Sequence, residues 1–291
     1  TPATMWGDGN PVPNTLESDN KLIDEAVKTA IKSDIVVLVV GENESFSREA
    51  WSENHLGDRD NLDLPGRQNE LVEALLKTKK PIVAIMMGGR PLSFNLVEQK
   101  VPAIIQAWYL GQETGTAIAN LLFGKTNPSG KLSVTIPRSV GQLPCYYNHM
   151  PTRSRSYLLA DSSPLFPFGW GLSYTSFEYS NLKLSKPEIK TDETTLFTVD
   201  VKNTGALEGE EVVQLYIRDE VSSIVRPVIQ LKDFKRIHLK PGEAKTVEFL
   251  IDHSKLSYFN QNLVRVLEKG IFDLKVGGNS VDLKSIKLKV R

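Results

Sequence analysis

Between Gly41 and Gln68 the chain concentrates seven carboxylates, Glu42, Glu44, Glu49, Glu53, Asp58, Asp60 and Asp63, in one polar stretch. A carboxyl in a desolvated pocket has its pKa raised, and it can then hold a proton near neutrality and act as a general acid. The surrounding residue types favour such chemistry over plain solvation. Arg48 and Arg59 can orient or neutralise carboxylates, while Phe46, Trp51 and Leu56 can wall a pocket. Trp51 beside acidic groups suits a sugar, whose ring stacks on an aromatic face while carboxylates take its hydroxyls. His55 has the chemistry of a base or a metal ligand. Residue types alone leave open which carboxylate acts.

The elements around this stretch must position it. An apolar, β-branched run over residues 35–40 stops at Gly41, and an amphipathic helix with Leu71, Val72, Leu75 and Leu76 on one face begins near Pro65. A long acidic loop at the carboxyl end of a buried strand is where an open α/β sheet places ligand chemistry. Upstream, Leu22, Ile23, Ala26, Val27, Ala30 and Ile31 predict a helix over residues 18–32 with Ser18 as its N-cap. Downstream come a strand over 81–87, closed by Gly88-Gly89-Arg90-Pro91, a short helix over 92–99 and a strand over 102–107. A helix over 112–123 ended by Gly124 and a last strand over 131–136 follow. This alternation predicts an α/β sandwich domain over residues 1–140, with a mostly parallel sheet buried under helices on both faces.

Residues 141–175 change character, with Pro144-Cys145-Tyr146-Tyr147 and a run from Leu165 to Tyr174 rich in Phe, Trp, Pro and Gly. This reads as a structured linker whose aromatics, Trp170 and Tyr174 among them, lock neighbouring domains, since a free linker carries few large apolar groups. Over 176–291 the period becomes two. Strands are predicted at 177–184, 194–203, 211–218, 228–239, 244–251, 263–267 and 270–276, separated by turns such as Asn203-Thr204-Gly205 and Pro241-Gly242. Short alternating strands at this spacing predict an all-β immunoglobulin-like or fibronectin-like sandwich. Its strands offer no site, so a scaffold role or a homodimer contact is its default.

Composition excludes several classes. Lys plus Arg equals Asp plus Glu at 35 each, so nucleic-acid and acidic-membrane partners are not expected. One cysteine excludes an internal disulfide framework. Four scattered histidines predict no metal site, and no apolar run approaches the roughly 18 residues that cross a bilayer. No Gly-x-Gly-x-x-Gly or P-loop opens a helix, and the Gly88-Gly89-Arg90 turn imitates a phosphate cradle only superficially, so no cofactor is expected. That lack counts against a flavodoxin-like small-ligand domain. No Gly-x-Ser-x-Gly elbow marks a serine nucleophile.

A set of motifs in order gives a more specific reading. Ser47-Arg48-Glu49-Ala50, the run from Asp58 to Gln68, Gly89-Arg90-Pro91, the run from Ala107 to Glu113, and Asn127-Pro128-Ser129-Gly130-Lys131-Leu132 resemble the second domain of glycoside hydrolase family 3. The run from Pro167 to Tyr174 resembles the stretch before that family's fibronectin type III-like third domain. The third domain is echoed by Val201-Lys202-Asn203-Thr204-Gly205, the run from Gly209 to Tyr216, and Pro241-Gly242. The chain looks most like the family's bacterial periplasmic β-glucosidases, some of which accept xylosides.

The resemblance implies a retaining β-glucosidase acting on a β-linked glucoside or oligosaccharide, in the periplasm or outside the cell. In the family, a nucleophilic Asp sits on an N-terminal (β/α)8 barrel and an acid/base Glu on this loop. The Ser-x-Glu-Ala context puts the acid/base at Glu49, with Glu53 as runner-up because loop length varies. Trp51 and His55 then fall to the leaving-group side, and Glu42 to a structural role at the strand end. A barrel needs about 250 residues, and nothing before residue 20 supplies one. The chain is therefore expected to be the C-terminal portion of a larger enzyme and to be inactive alone. The alternative is a non-catalytic carbohydrate-binding or assembly module.

Overall fold

The computed structural model describes residues 15–43, 59–152 and 157–291. By its internal contacts the chain divides into two units: residues 1–119, 136–144 and 163–165 in the first, and 120–135, 145–162 and 166–291 in the second.

The first unit is α/β. Its elements are α1 (Leu16–Ile31), β1 (Val36–Gly41), α2 (Gln68–Lys77), β2 (Ile82–Met87), α3 (Asn95–Lys100) and β3 (Ala103–Gln106), followed by α4 (Thr114–Leu122), whose last residues belong to the second unit. The three strands form a parallel sheet in the order β1-β2-β3, with Leu38 opposite Ala84 and Ala84 opposite Ile104. Ala84, Val72 and Val97 are wholly buried between sheet and helices.

Four expectations are corrected here. The α1 helix begins at Leu16, and its N-cap is Thr15, whose hydroxyl accepts from the Ser18 amide at 3.2 Å; Ser18 itself lies in the first turn. The helix expected near Pro65 starts only at Gln68, because Gly66 turns the chain at φ 61°. Helices do not bury both faces of β1. Leu38 and Val40 are 6% and 5% exposed, but Val37 and Val39 are 48% and 56% exposed, so one face of this edge strand is open. Residues 131–136 are not a sheet strand. Leu132 exchanges backbone hydrogen bonds with Trp170 (2.8 Å) and Gly169 (2.7 Å), and Ile136 accepts from Leu165 (2.8 Å), so their partners are irregular segments.

The second unit is a β-sandwich. One sheet runs β5 (Glu188–Ile189), β13 (Lys284–Val290), β12 (Gly270–Gly277), β7 (Gly209–Asp219), β8 (Gln230–Leu239); the other runs β4 (Phe177–Leu184), β6 (Thr195–Asn203), β9 (Ala244–Ile251). A two-stranded pair, β10 (Tyr258–Phe259) with β11 (Arg265–Val266), and a short helix α5 (His253–Leu256) complete it. Alternate residues of both sheets meet in one core, with Phe197, Val199, Val213, Leu215, Leu274 and Leu288 wholly buried. Each such side chain contributes about 1.5–3 kcal/mol relative to exposure, which makes this core the main source of the unit's stability. The β13 strand was not among the predicted ones, although Ile286, Leu288 and Val290 alternate cleanly with lysines.

The aromatic stretch is built onto the sandwich. Phe168 stacks on Tyr147 with ring centroids 4.2 Å apart, and Tyr147 meets Tyr216 edge-on at 5.8 Å. The Gly169 carbonyl accepts from Gln214 at 3.3 Å, and the Ser280 amide donates to the Phe168 carbonyl at 3.0 Å.

Candidate functional site

The end of β1 is where the acidic stretch departs, and its local geometry follows from two glycines. Gly41 sits at φ 139°, and a Cβ there would lie 1.7 Å from the Met87 carbonyl oxygen. Only glycine lets the parallel strands end this closely. Gly88 gives the same latitude on β2, where a Cβ would come within 3.1 Å of the Glu42 Cγ. The Glu42 amide donates to the Met87 carbonyl at 2.9 Å, which extends the ladder by one residue and turns the Glu42 side chain inward.

Glu42 is buried, with its side chain 0% exposed, and two guanidiniums neutralise it. Arg90 donates through Nε to Oε1 at 2.6 Å and through Nη2 to Oε2 at 3.1 Å. Arg59 donates through Nη1 to Oε2 at 3.0 Å. The other Arg59 terminal nitrogen donates to Asn61 Oδ1 at 2.9 Å and to the Asp63 carbonyl at 2.7 Å. A buried carboxylate is tolerated only when paired and hydrogen-bonded in this way.

A second fastening lies beside it. The Gln68 amide donates to the Gly41 carbonyl and accepts from the Gly41 amide, both at 2.7 Å. The first residue of α2 therefore caps the unpaired backbone at the end of β1. The return segment is tied to the loop after β2, with the Ser93 amide donating to the Leu62 carbonyl at 2.7 Å and Asp63 bridging Ser93. Together these contacts fix residues 41–42 against residues 59–68, the two ends of the acidic stretch.

Of the residues singled out by type, Glu42, Arg59 and Arg90 converge at one point. Asp60 is at the rim, where its carboxylate accepts from Asn61 at 2.7 Å. Glu49, Glu53, Trp51 and His55 lie outside the described residues, as do Glu44, Arg48 and Asp58. Among the described residues, no three His, Cys, Asp or Glu side chains group to hold a metal ion.

The sandwich carries a crevice of about 550 Å³ that its alternation pattern does not announce. Glu211 stands at its wall, 4% exposed, with Lys131 Nζ 3.2 Å from Oε2 and the Tyr179 hydroxyl donating to Oε1 at 2.8 Å. Burial first, then the Glu211 charge, pushes the Tyr179 phenol far above its ordinary range, so it stays protonated as a donor. Lys131 also donates to the Gly171 carbonyl at 3.1 Å. Each group of this triad has its partner inside the unit, so the cluster fastens the Gly130-Lys131 segment to β4 and β7.

A parallel α/β unit in which Glu42 at the end of β1 holds Arg59 and Arg90, followed in sequence by an all-β sandwich, defines a modular chain. Its family follows from comparison with known proteins. Residues 8–174 match the Glycosyl hydrolase family 3 C-terminal domain, and residues 211–280 match a Fibronectin type III-like domain. The chain belongs to glycosyl hydrolase family 3. It is 46% identical over 273 residues to a β-xylosidase of Formosa agariphila, a match covering 92% of this chain and 37% of that protein. It is 43% identical over 278 residues to a periplasmic β-glucosidase of Salmonella typhimurium, covering 92% of this chain and 36% of the other. A solved β-glucosidase structure from Erythrobacter marinus superposes with a TM-score of 0.95 at 42% identity, covering 99% of this chain and 38% of that one. The chain thus spans little more than a third of the length of these relatives. No helix among the described residues is long and apolar enough to cross a membrane.

Proposed function

We propose that this chain supplies the general acid/base half of a retaining β-glucosidase site, with Glu49 as the acid/base. The observation that carries the reading is the frame at the end of β1, where Glu42, Arg59, Arg90 and Gln68 secure both ends of the stretch that contains Glu49. Family membership supports the reaction class, and the relatives' names supply both glucosides and xylosides as glycone classes.

The proposed chemistry is double displacement. A nucleophilic carboxylate from an N-terminal (β/α)8 barrel attacks the anomeric carbon while the glycosidic C–O bond breaks, and Glu49 gives its proton to the departing oxygen. Glu49, now ionised, takes a proton from water as that water's oxygen adds to the anomeric carbon. The glycosyl ester bond breaks and the nucleophile leaves as a carboxylate. The two carboxyl groups of a retaining enzyme stand about 5 Å apart, so the barrel must face the acidic stretch. Trp51 and His55 are assigned to the leaving-group side, and Glu53 replaces Glu49 if the loop register differs. The periplasm or the cell exterior is the proposed location; the Salmonella relative is named a periplasmic enzyme.

The test is made in the full-length enzyme. Glu49→Ala is expected to lower kcat/KM for phenyl β-glucoside by about 10²–10⁴-fold, with little loss for the dinitrophenyl glucoside, whose leaving group needs no proton. On the dinitrophenyl glucoside, where the glycosyl–enzyme of this variant accumulates, added azide is expected to raise kcat by attacking it in place of water. Wild-type behaviour of Glu49→Ala together with this pattern in Glu53→Ala would move the role to Glu53.

A further inference from the structure

The strand β8 carries one extra residue where it passes β7. Leu215 stands opposite Asp233 and Tyr216 opposite Leu231, so Lys232 is the added residue of a β-bulge. A bulge bends its strand and re-aims a side chain, and such irregularities gather next to functional sites. Lys232 is half-buried here, with Arg226 and Arg265 close enough to disfavour its charge. Burial first, then these two guanidiniums, holds its ammonium below the ordinary lysine value.

The carboxylates of this region are committed to other groups. Asp219 Oδ2 lies 3.3 Å from Arg226 Nη1, and the Arg226 guanidinium also donates to Gln230 Oε1 at 3.0 Å and covers the Tyr258 ring at 4.5 Å. Asp233 Oδ2 pairs with Lys255 Nζ at 3.2 Å, and Glu268 accepts from the Ser223 amide at 2.9 Å. Arg265 donates through Nε to the Ser257 hydroxyl and through Nη2 to the Ser254 carbonyl, both at 2.7 Å and both neutral oxygens. Among the described residues, neither Lys232 nor Arg265 has a carboxylate partner.

This differs from the Lys131–Glu211 pair, where each charge is answered inside the unit. A half-buried ammonium beside two guanidiniums is unfavourable until an anion joins it. Lys232 offers three donors on a point charge, and Arg265 keeps its Nη1 hydrogens for a further acceptor. We propose that Lys232, with Arg265 and Arg226 beside it, forms a binding site in the sandwich for the oxyanion of a small molecule, a carboxylate or phosphate group. Because Lys232 is half-buried in the bulge, a small group reaches it more readily than a side chain on an approaching protein surface. The site is independent of the acid/base reading.

The experiment titrates the full-length enzyme calorimetrically with inorganic phosphate and, separately, with glucuronate, at constant ionic strength. Wild type, Lys232→Met and Lys232→Arg are compared, so that binding elsewhere in the enzyme cancels. Saturable binding by wild type is expected, weakened about tenfold or more in Lys232→Met and retained in Lys232→Arg, which keeps the charge. Dependence on Lys232 for phosphate alone assigns the site to phosphoryl groups; dependence for glucuronate assigns it to sugar-borne carboxylates. In phosphate-free buffer Lys232→Met should melt no lower than wild type, because it removes an unanswered charge while keeping the apolar stem. Absence of saturable binding in wild type, or equal binding by Lys232→Met, would overturn the proposal. A wild-type dimer that Lys232→Met turns into a monomer would also overturn it, giving the cations to an acidic side chain of a second copy.

Discussion

At the scale of the residue, two buried glutamates use the same physics for different ends. Glu42 and Glu211 are 7% and 4% exposed, and each survives burial because cations and hydrogen-bond donors surround it. Glu42 holds Arg59 and Arg90 at the end of β1, while Glu211 fastens Lys131 and Tyr179. Lys131→Met should therefore leave the Glu211 charge buried without its cation, at a cost of about 3 kcal/mol. For a unit of this size the loss corresponds to roughly 6–12 °C in Tm, readable by calorimetry. Adding Glu211→Gln should recover much of that loss. An unchanged Tm for Lys131→Met would show that the pair contributes nothing. The identity of Glu42 as a strand-end residue was legible, because Gly41-Glu42 directly ends an apolar run. Arg59 was legible as a group that neutralises carboxylates and Arg90 as an ion-pairing residue at a strand end, but not that both would meet on Glu42, since nothing in the chain links position 42 to position 90.

At the scale of the element, hydrogen bonds across strands replace what propensity leaves unsettled. Asp200 on β6 faces Thr246 on β9, whose hydroxyl donates to it at 2.6 Å, and Asn181 on β4 donates at 2.9 Å. These bonds, Thr246 foremost, hold the Asp200 carboxyl below its ordinary value. A depressed carboxyl stabilises the fold above its unfolded pKa, and the benefit is lost as pH falls through the folded value. Thr246→Val should consequently lower the urea midpoint near neutrality, and the gap to wild type should narrow in acid below the depressed pKa. A gap that is constant with pH would assign the loss to packing instead. Two strand expectations show where periodicity fails. Residues 131–136 are rich in β-formers, yet Leu132 pairs with Gly169 and Trp170, a choice made 37 residues away. Conversely, β13 carries a clear alternation of Ile286, Leu288 and Val290 between its lysines, a period of two that is local and visible in the sequence.

At the scale of the whole molecule, the chain is a two-unit part of family 3 proteins that are far longer. With the nucleophile assigned to a barrel that these 291 residues do not contain, the purified chain is expected to hydrolyse neither phenyl nor dinitrophenyl β-glucosides. Turnover that copurifies with the chain and disappears in Glu49→Ala would refute the division of the site. The sequence by itself determined the fold classes, because helical and two-residue periods are local, and it determined the family, because its motifs stand in order. Tertiary structure alone decided that Val37 and Val39 lie on an open face while Leu38 and Val40 are buried, since a uniform apolar run hides its own alternation and only edge position exposes it. It likewise decided that Glu42, Arg59 and Arg90 meet, because a buried carboxylate takes its partners from whatever the folded sheet brings within hydrogen-bond reach, whatever their separation along the chain.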